Sequence, residues 1–167
     1  MCLLGILSQH QRHANPVTIY AKILGTACRD KHLWNTCGQG AHAGCIFIVG
    51  SNTAFAHPIL FRRIEDAKKA NPAMKIIVAD PRRTDTVELA DLFLPIQPGT
   101  DVMLFNGMLH LMLWEGWADA EFIAAHTSGM EPLRALVRDC TPDVVSQICG
   151  ISKEALLEAT RLFAGVG

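Results

Sequence analysis

Three short apolar runs, at residues 45–49, 75–79 and 92–96, each break off at a polar, turn-prone signature. The signatures are Gly50-Ser51-Asn52, Asp80-Pro81-Arg82-Arg83-Thr84 and Pro98-Gly99-Thr100-Asp101. Continuous runs of Ile, Val, Phe and Leu suit strands covered on both faces. The first two runs are about thirty residues apart, the usual length of a βαβ unit. The expected fold is therefore α/β: a three-layer, mostly parallel, doubly wound, Rossmann-like sheet with a helical C-terminal tail. In open α/β sheets, ligands bind outside the carboxyl ends of the strands. The three signatures then meet along one edge, which suits an elongated, anionic, nucleotide-like ligand.

The segments between the runs read as helices. Pro58 fits a first helical turn, and Leu60, Ile64 and Ala67 recur at helical spacing until Asn71-Pro72. A short helix is expected over 84–90. A nearly all-apolar helix is expected over 102–115, capped by Thr100 or Asp101 and ended by Gly116. Further helices are expected over 119–126, over 131–139, after Thr141-Pro142, and from Ser152 onward. Residues 1–40 show no firm period and form a separate, poorly defined leader, with a weak helix over 18–24; the binding domain is expected over 41–167. Three parallel strands would leave open edges, so the sheet is expected to continue beyond residue 167.

Composition narrows the function. Half the residues are hydrophobic, enough for a buried core. A net charge of −1 argues against a general nucleic-acid surface or a polybasic membrane anchor. The start lacks the basic region of a signal peptide, and residues 102–114 are too short to span a bilayer. A cytoplasmic protein with reduced thiols is expected. The six cysteines include no CxxC pair. Cys28, His32 and Cys37 could in principle gather a metal, but ordinary unliganded side chains are the expected reading, and no metal site is expected.

Each signature has a chemical and a plain reading. At Gly50 the backbone can approach a phosphate, and N–H groups at a helix start attract anions, with Asn52 capping or donating. An ordinary strand-to-helix turn accounts for the same residues. Asp80 can accept from ribose hydroxyls, and Arg82 or Arg83 can stack on a base or fork onto phosphate. A solvated charge pair is the alternative. The Asp101 carboxylate can accept both N1–H and N2–H₂ of guanine, a pair of donors adenine lacks. Simple N-capping competes. His57 fits a structural place before Pro58 or a polar ligand contact. His110 fits a satisfied core histidine, and Trp114 and Trp117 fit packing around Gly116.

Taken together, VGSNTAFAHPILFRRIEDAK, IIVADPRRTDTVELADLFLPIQPGTD and LFNGMLHLMLWEGWADAEFIAAHTSG resemble the molybdopterin oxidoreductase family. The resemblance covers about residues 41–164 in one register. It is nearest to the catalytic subunits of bacterial assimilatory nitrate reductases, with formate dehydrogenases and periplasmic nitrate reductases further off. It implies a molybdenum enzyme holding two molybdopterin guanine dinucleotides and reducing nitrate to nitrite by oxygen-atom transfer. It also implies that Gly50, Ser51 and Asn52, with Thr53 and His57 beside them, lie against the cofactor's phosphates. Asp80, Arg82 and Thr84, with Pro81 and Arg83, would approach the guanosine. Asp101, with Gly99 and Thr100, would read guanine.

The family's [4Fe–4S] domain, its molybdenum-ligating Cys upstream of the first strand, and its later cofactor domain have no counterpart in this sequence. A truncated or frameshifted product would look like this, inactive alone, and partnered by the remaining domains of its enzyme or by itself through an open sheet edge. Two other readings stand beside it. One is a nucleotide-binding domain of another class, such as the central domain of a thiamine-diphosphate enzyme. The other is a folded remnant without enzymatic function.

Overall fold

The computed structural model describes residues 18–23 and 43–165. The chain divides into two compact units, a sheet unit within Val17–Pro98 and a helical unit within Gly99–Val166.

The sheet unit holds four strands in the order β1-β2-β3-β4: β1 (Thr18–Ile23), β2 (Ala43–Val49), β3 (Lys75–Ala79) and β4 (Leu92–Leu94). β2, β3 and β4 are mutually parallel, with Val49 opposite Ala79 and Ala79 opposite Leu94. The expected mostly parallel α/β sheet is therefore present. One expectation fails. Residues 18–23 form a strand rather than a weak helix, and β1 pairs antiparallel along the edge of β2. Thr18, Ile19, Tyr20 and Ile23 are good strand formers, and the pairing closes an edge that three strands alone would leave open. β4 stops at Leu94, before the expected Ile96, because Pro95 has no N–H for a ladder.

Both alternating sets of side chains on β2 and β3 are buried, as their unbroken apolar sequence requires. Ile46, Ile48, Ile76 and Val78 join Ile64, Ala67, Met74 and Val87 in one core cluster. Each fully buried side chain of this size contributes about 1.5–3 kcal/mol. Helix α1 (Thr53–Ala56) is one short turn; helix α2 (Pro58–Ala70) follows it, starting at Pro58 and capped by Asn71. A 3₁₀ turn over Asp85–Leu89 carries the chain from β3 to β4, so the short helix expected there is present in tighter form. At the opposite end of the strands from their polar loops, Lys68 Nζ donates to both oxygens of Asp91 at 2.9 and 2.7 Å, and to the Met74 carbonyl. Asp91 Oδ2 also accepts the N–H of Ile76 at 2.8 Å. This staple fixes α2 to the entry side of the sheet.

The helical unit is built around α3 (Asp101–Trp114), which packs against α5 (Met130–Val137), α6 (Pro142–Cys149) and α7 (Lys153–Ala164). Leu104, Met108, Leu111 and Met112 of α3 are buried, in line with its apolar sequence. α4 (Ala120–His126) is capped by Asp119 and buries none of its residues. Ser152 Oγ caps α7 by accepting the N–H of Ala155 at 3.1 Å. No described helix is long and apolar enough to cross a membrane.

Candidate functional site

The strand ends of the sheet unit are laced at one edge. Gly50 N–H donates to the Ala79 carbonyl at 2.9 Å, and Asp80 N–H donates to Leu94 at 3.2 Å. Gly50 has φ +59°, a left-handed conformation that favours glycine. A Cβ added there would meet nothing within 4 Å, so the backbone is open to a close approach.

Beyond Gly50 the chain turns sharply. Ser51 is buried and its hydroxyl shares a hydrogen bond of 2.9 Å with Thr53 Oγ1. Asn52 is the N-cap of α1, with Oδ1 accepting the N–H of Phe55 at 3.4 Å. The N–H of Ala54 goes to Thr86 Oγ1 at 3.1 Å. The expectation of free N–H groups at this helix start therefore needs revision: α1 is four residues long and the amides of Ala54, Phe55 and Ala56 are already paired. His57 is exposed and links α1 to α2 through its backbone, without a side-chain cap bond.

Asp80 is 4% exposed. Its Oδ1 accepts the N–H of Arg82 at 2.8 Å, a short turn that aims the loop off the strand. Among the described residues neither Arg82 nor Arg83 forms an ion pair with Asp80, so the charge-pair alternative is not what holds this loop. Arg83 instead reaches Glu88 at 3.5 Å and lies 6.0 Å from the centre of the Phe93 ring. Arg82 and Pro81 are exposed. Thr84 Oγ1 is buried without a hydrogen-bond partner. A buried hydroxyl left unpaired is uncommon and needs a reason. The second signature thus supplies a buried carboxylate, an unpaired hydroxyl and an uncommitted guanidinium on the loop after β3, whose last residue, Ala79, bonds the Gly50 backbone. That donor and acceptor set fits the phosphate and ribose of a nucleotide-like group.

The third signature opens the helical unit. Gly99 has φ +79° with open space where a Cβ would stand. Thr100 takes the N-cap position of α3 without a side-chain cap bond, and its carbonyl accepts the thiol of Cys149 at 3.5 Å. Asp101 is the first helical residue and is exposed. The N-cap position expected of Thr100 or Asp101 thus falls to Thr100, and the Asp101 carboxylate sits in the first turn rather than capping it. The Cys149 thiol is pushed up by burial, with Asp101 adding to the rise and the Thr100 bond opposing it.

His110 is a satisfied core histidine, as expected. Nδ1 lies 2.9 Å from the Val137 carbonyl and so carries the proton, and the ring stacks on Trp114 at 4.3 Å. Arg134 and Arg161 lie over Trp114 and Trp117 at 5.3 and 5.9 Å, which places both tryptophans in the packing at the end of α3. Cys28, His32 and Cys37 lie outside the described residues. Among the described ones no group of three His, Cys, Asp or Glu gathers. Thr86 is the residue that sequence reasoning missed. Its signal was faint: a lone threonine inside a 3₁₀ turn.

The model of the molybdopterin oxidoreductase family matches residues 5–151, beginning well upstream of residue 41, where the resemblance was read. The alpha subunit of F420-dependent formate dehydrogenase from Methanocaldococcus jannaschii is 44% identical over 72% of this chain and 18% of its own length. Nitrate reductase from Synechocystis is 45% identical over 70% of this chain and 16% of its own. Nitrate reductase from Symbiobacterium thermophilum is 36% identical over 94% of this chain and 22% of its own. Formate dehydrogenases therefore stand as near as nitrate reductases, not further off. Acetylene hydratase from Pelobacter acetylenicus superposes with a TM-score of 0.67 at 33% identity, over 72% of this chain and 16% of that one. The chain thus spans about a fifth of the length of these relatives, and it belongs to the molybdopterin oxidoreductase family.

Proposed function

We propose that this chain holds the phosphate and guanosine portion of a molybdopterin guanine dinucleotide within a nitrate-reducing enzyme. Family membership carries the molybdenum–pterin cofactor; the guanine form and the nitrate substrate are our reading. The observations that carry it are the open space at Gly50, where β2 meets the end of β3, and the buried Asp80 and unpaired Thr84 hydroxyl of the loop that follows β3. Gly50, Ser51, Asn52 and Thr53, with His57 nearby, would face phosphate. Asp80 and Thr84 would hold ribose, with Pro81 shaping the loop and Arg82 or Arg83 offering charge. Asp101, presented by Gly99 and Thr100, would accept from guanine N1–H and N2–H₂ and so reject adenine.

When bound, the cofactor supplies the oxygen-atom transfer that turns nitrate into nitrite. The residues of this chain bind and orient, and none is assigned a proton-transfer role. The holding module would include β1 beside residues 41–167, since β1 pairs with β2 in the same sheet and the family match begins at residue 5, and a [4Fe–4S] centre and the remaining cradle would come from elsewhere in a cytoplasmic parent enzyme. The purified chain should not reduce nitrate with a reduced dye. Formate oxidation is the second reading for the parent reaction, favoured by the formate dehydrogenase relative at 44% identity. The whole enzyme carrying this segment should reduce nitrate with reduced viologen and leave formate untouched. Formate oxidation without nitrate reduction would replace the first reading with the second.

A further inference from the structure

Thr86 is fully buried, and its hydroxyl joins the two strand-end loops of the sheet unit. Its oxygen accepts the N–H of Ala54 at 3.1 Å. The hydroxyl proton then goes to Asn52 Oδ1, 3.3 Å away. The same Asn52 oxygen accepts the N–H of Phe55 at 3.4 Å. Two donors converging on one end of a carboxamide settle its orientation, because turning it by half a circle would set NH₂ against an N–H. Nδ2 must then face the other way. It has no partner among the described residues, and Asn52 is partly exposed. Since the amides of Ala54 and Phe55 are both consumed, a ligand cannot use them.

We propose that Thr86 is a positioning residue that locks the Asn52 carboxamide, so that Nδ2 stands as a fixed donor to a phosphate oxygen of the ligand. This rests on the cofactor-holding reading above and deepens it. An unlocked amide can present either end and must be ordered on binding; a locked one has less freedom to lose.

The test is calorimetric titration of the full chain with GDP and with guanosine. The chains compared are the wild type, Thr86→Val, Thr86→Ser and Asn52→Ala. Valine keeps the shape and removes the hydroxyl. Thr86→Val should weaken GDP about tenfold and leave guanosine unchanged, and Thr86→Ser should restore GDP binding. Adding Thr86→Val to Asn52→Ala should cost nothing further, since both act through one donor. Amide hydrogen exchange at Ala54 and Phe55 should accelerate in Thr86→Val. Equal GDP affinity in Thr86→Val and wild type overturns the proposal, as does an equal loss for GDP and guanosine, which marks general loosening. If Thr86→Val does not fold, Asn52→Asp decides: it replaces the donor by an oxygen, and unchanged GDP affinity overturns the proposal. A wild-type chain that binds neither ligand overturns the cofactor reading itself and this proposal with it, an outcome distinct from the others.

Discussion

Gly107 of α3 faces Val145 of α6 so closely that a Cβ on the glycine would lie 2.6 Å from Val145 Cγ2. Glycine in a helix interior costs roughly 1 kcal/mol relative to alanine. Gly107→Ala would recover that propensity, yet the overpacking it causes is of order 1–3 kcal/mol, because valine is stiff about χ1. The packing cost should win. Urea denaturation should show Gly107→Ala destabilised by about 1 kcal/mol, and adding Val145→Ala should reverse the effect of the extra methyl. A more stable Gly107→Ala single variant would mean that the two helices do not approach this closely.

Gly50 combines positive φ with open space, so strain and function separate there. Gly50→Ala should lower stability by about 1 kcal/mol through the left-handed backbone. Its methyl would also enter the open space that the proposed ligand would fill, so GDP affinity should fall by more than tenfold in a chain that still folds cooperatively. Unchanged affinity would move the phosphate site away from this turn.

The Lys68–Asp91 pair is half-shielded, with side chains 19% and 26% exposed, and Asp91 also holds the Ile76 amide. Asp91→Ala should therefore cost about 2 kcal/mol, more than an exposed ion pair contributes. Arg62→Ala removes such an exposed partner, since Arg62 lies 3.7 Å from Glu65 with 71% of its side chain exposed. It should change stability by less than about 0.5 kcal/mol. Similar losses in the two variants would argue against the staple.

These residues also show how far the sequence could be read. β2 and β3 were legible because each is an unbroken apolar run that stops at a residue unsuited to a strand interior, Gly50 or Asp80. α2 was legible at both ends from Pro58 and Asn71-Pro72. β1 was not, because its strand state comes from pairing with β2, whose partner residues lie twenty or more positions along the chain. The early end of β4 follows from Pro95, a breaker that was visible but outweighed by the apolar Ile96. At the site, the residue types of the two sheet-edge loops were legible from their place after the strands. The Thr86–Asn52 bond was not, since it joins side chains 34 residues apart and leaves no periodic trace.

Two buried thiols set the alkaline limit. Burial pushes the thiols of Cys140 and Cys149 above the ordinary value of 9.0, with Asp139 adding to the rise at Cys140. Above that value the unfolded chain releases protons that the folded chain still holds, so stability falls as pH rises. Their contribution is complete below pH 9.0 and lost as pH climbs through the folded values. Lys153, raised above 10.5 by its hydrogen bond to Asp143, adds a later loss of the same sign. Urea midpoints should therefore decline from pH 9.0 upward, and Cys140→Ala with Cys149→Ala should flatten that decline below 10.5. A flat wild-type profile up to pH 10.5 would contradict the assignment.

The most direct test of the guanosine reading is a thermal shift of the purified chain with GDP, GMP and ADP at millimolar concentration, beside Asp101→Ala. A ligand that binds only the folded state raises Tm, by RT ln(1 + [L]/Kd) in free energy. The predicted result is a rise with GDP, a smaller one with GMP, none with ADP, and loss of the guanosine preference in Asp101→Ala. A cooperative transition that no nucleotide moves, or equal rises with GDP and ADP, would contradict it.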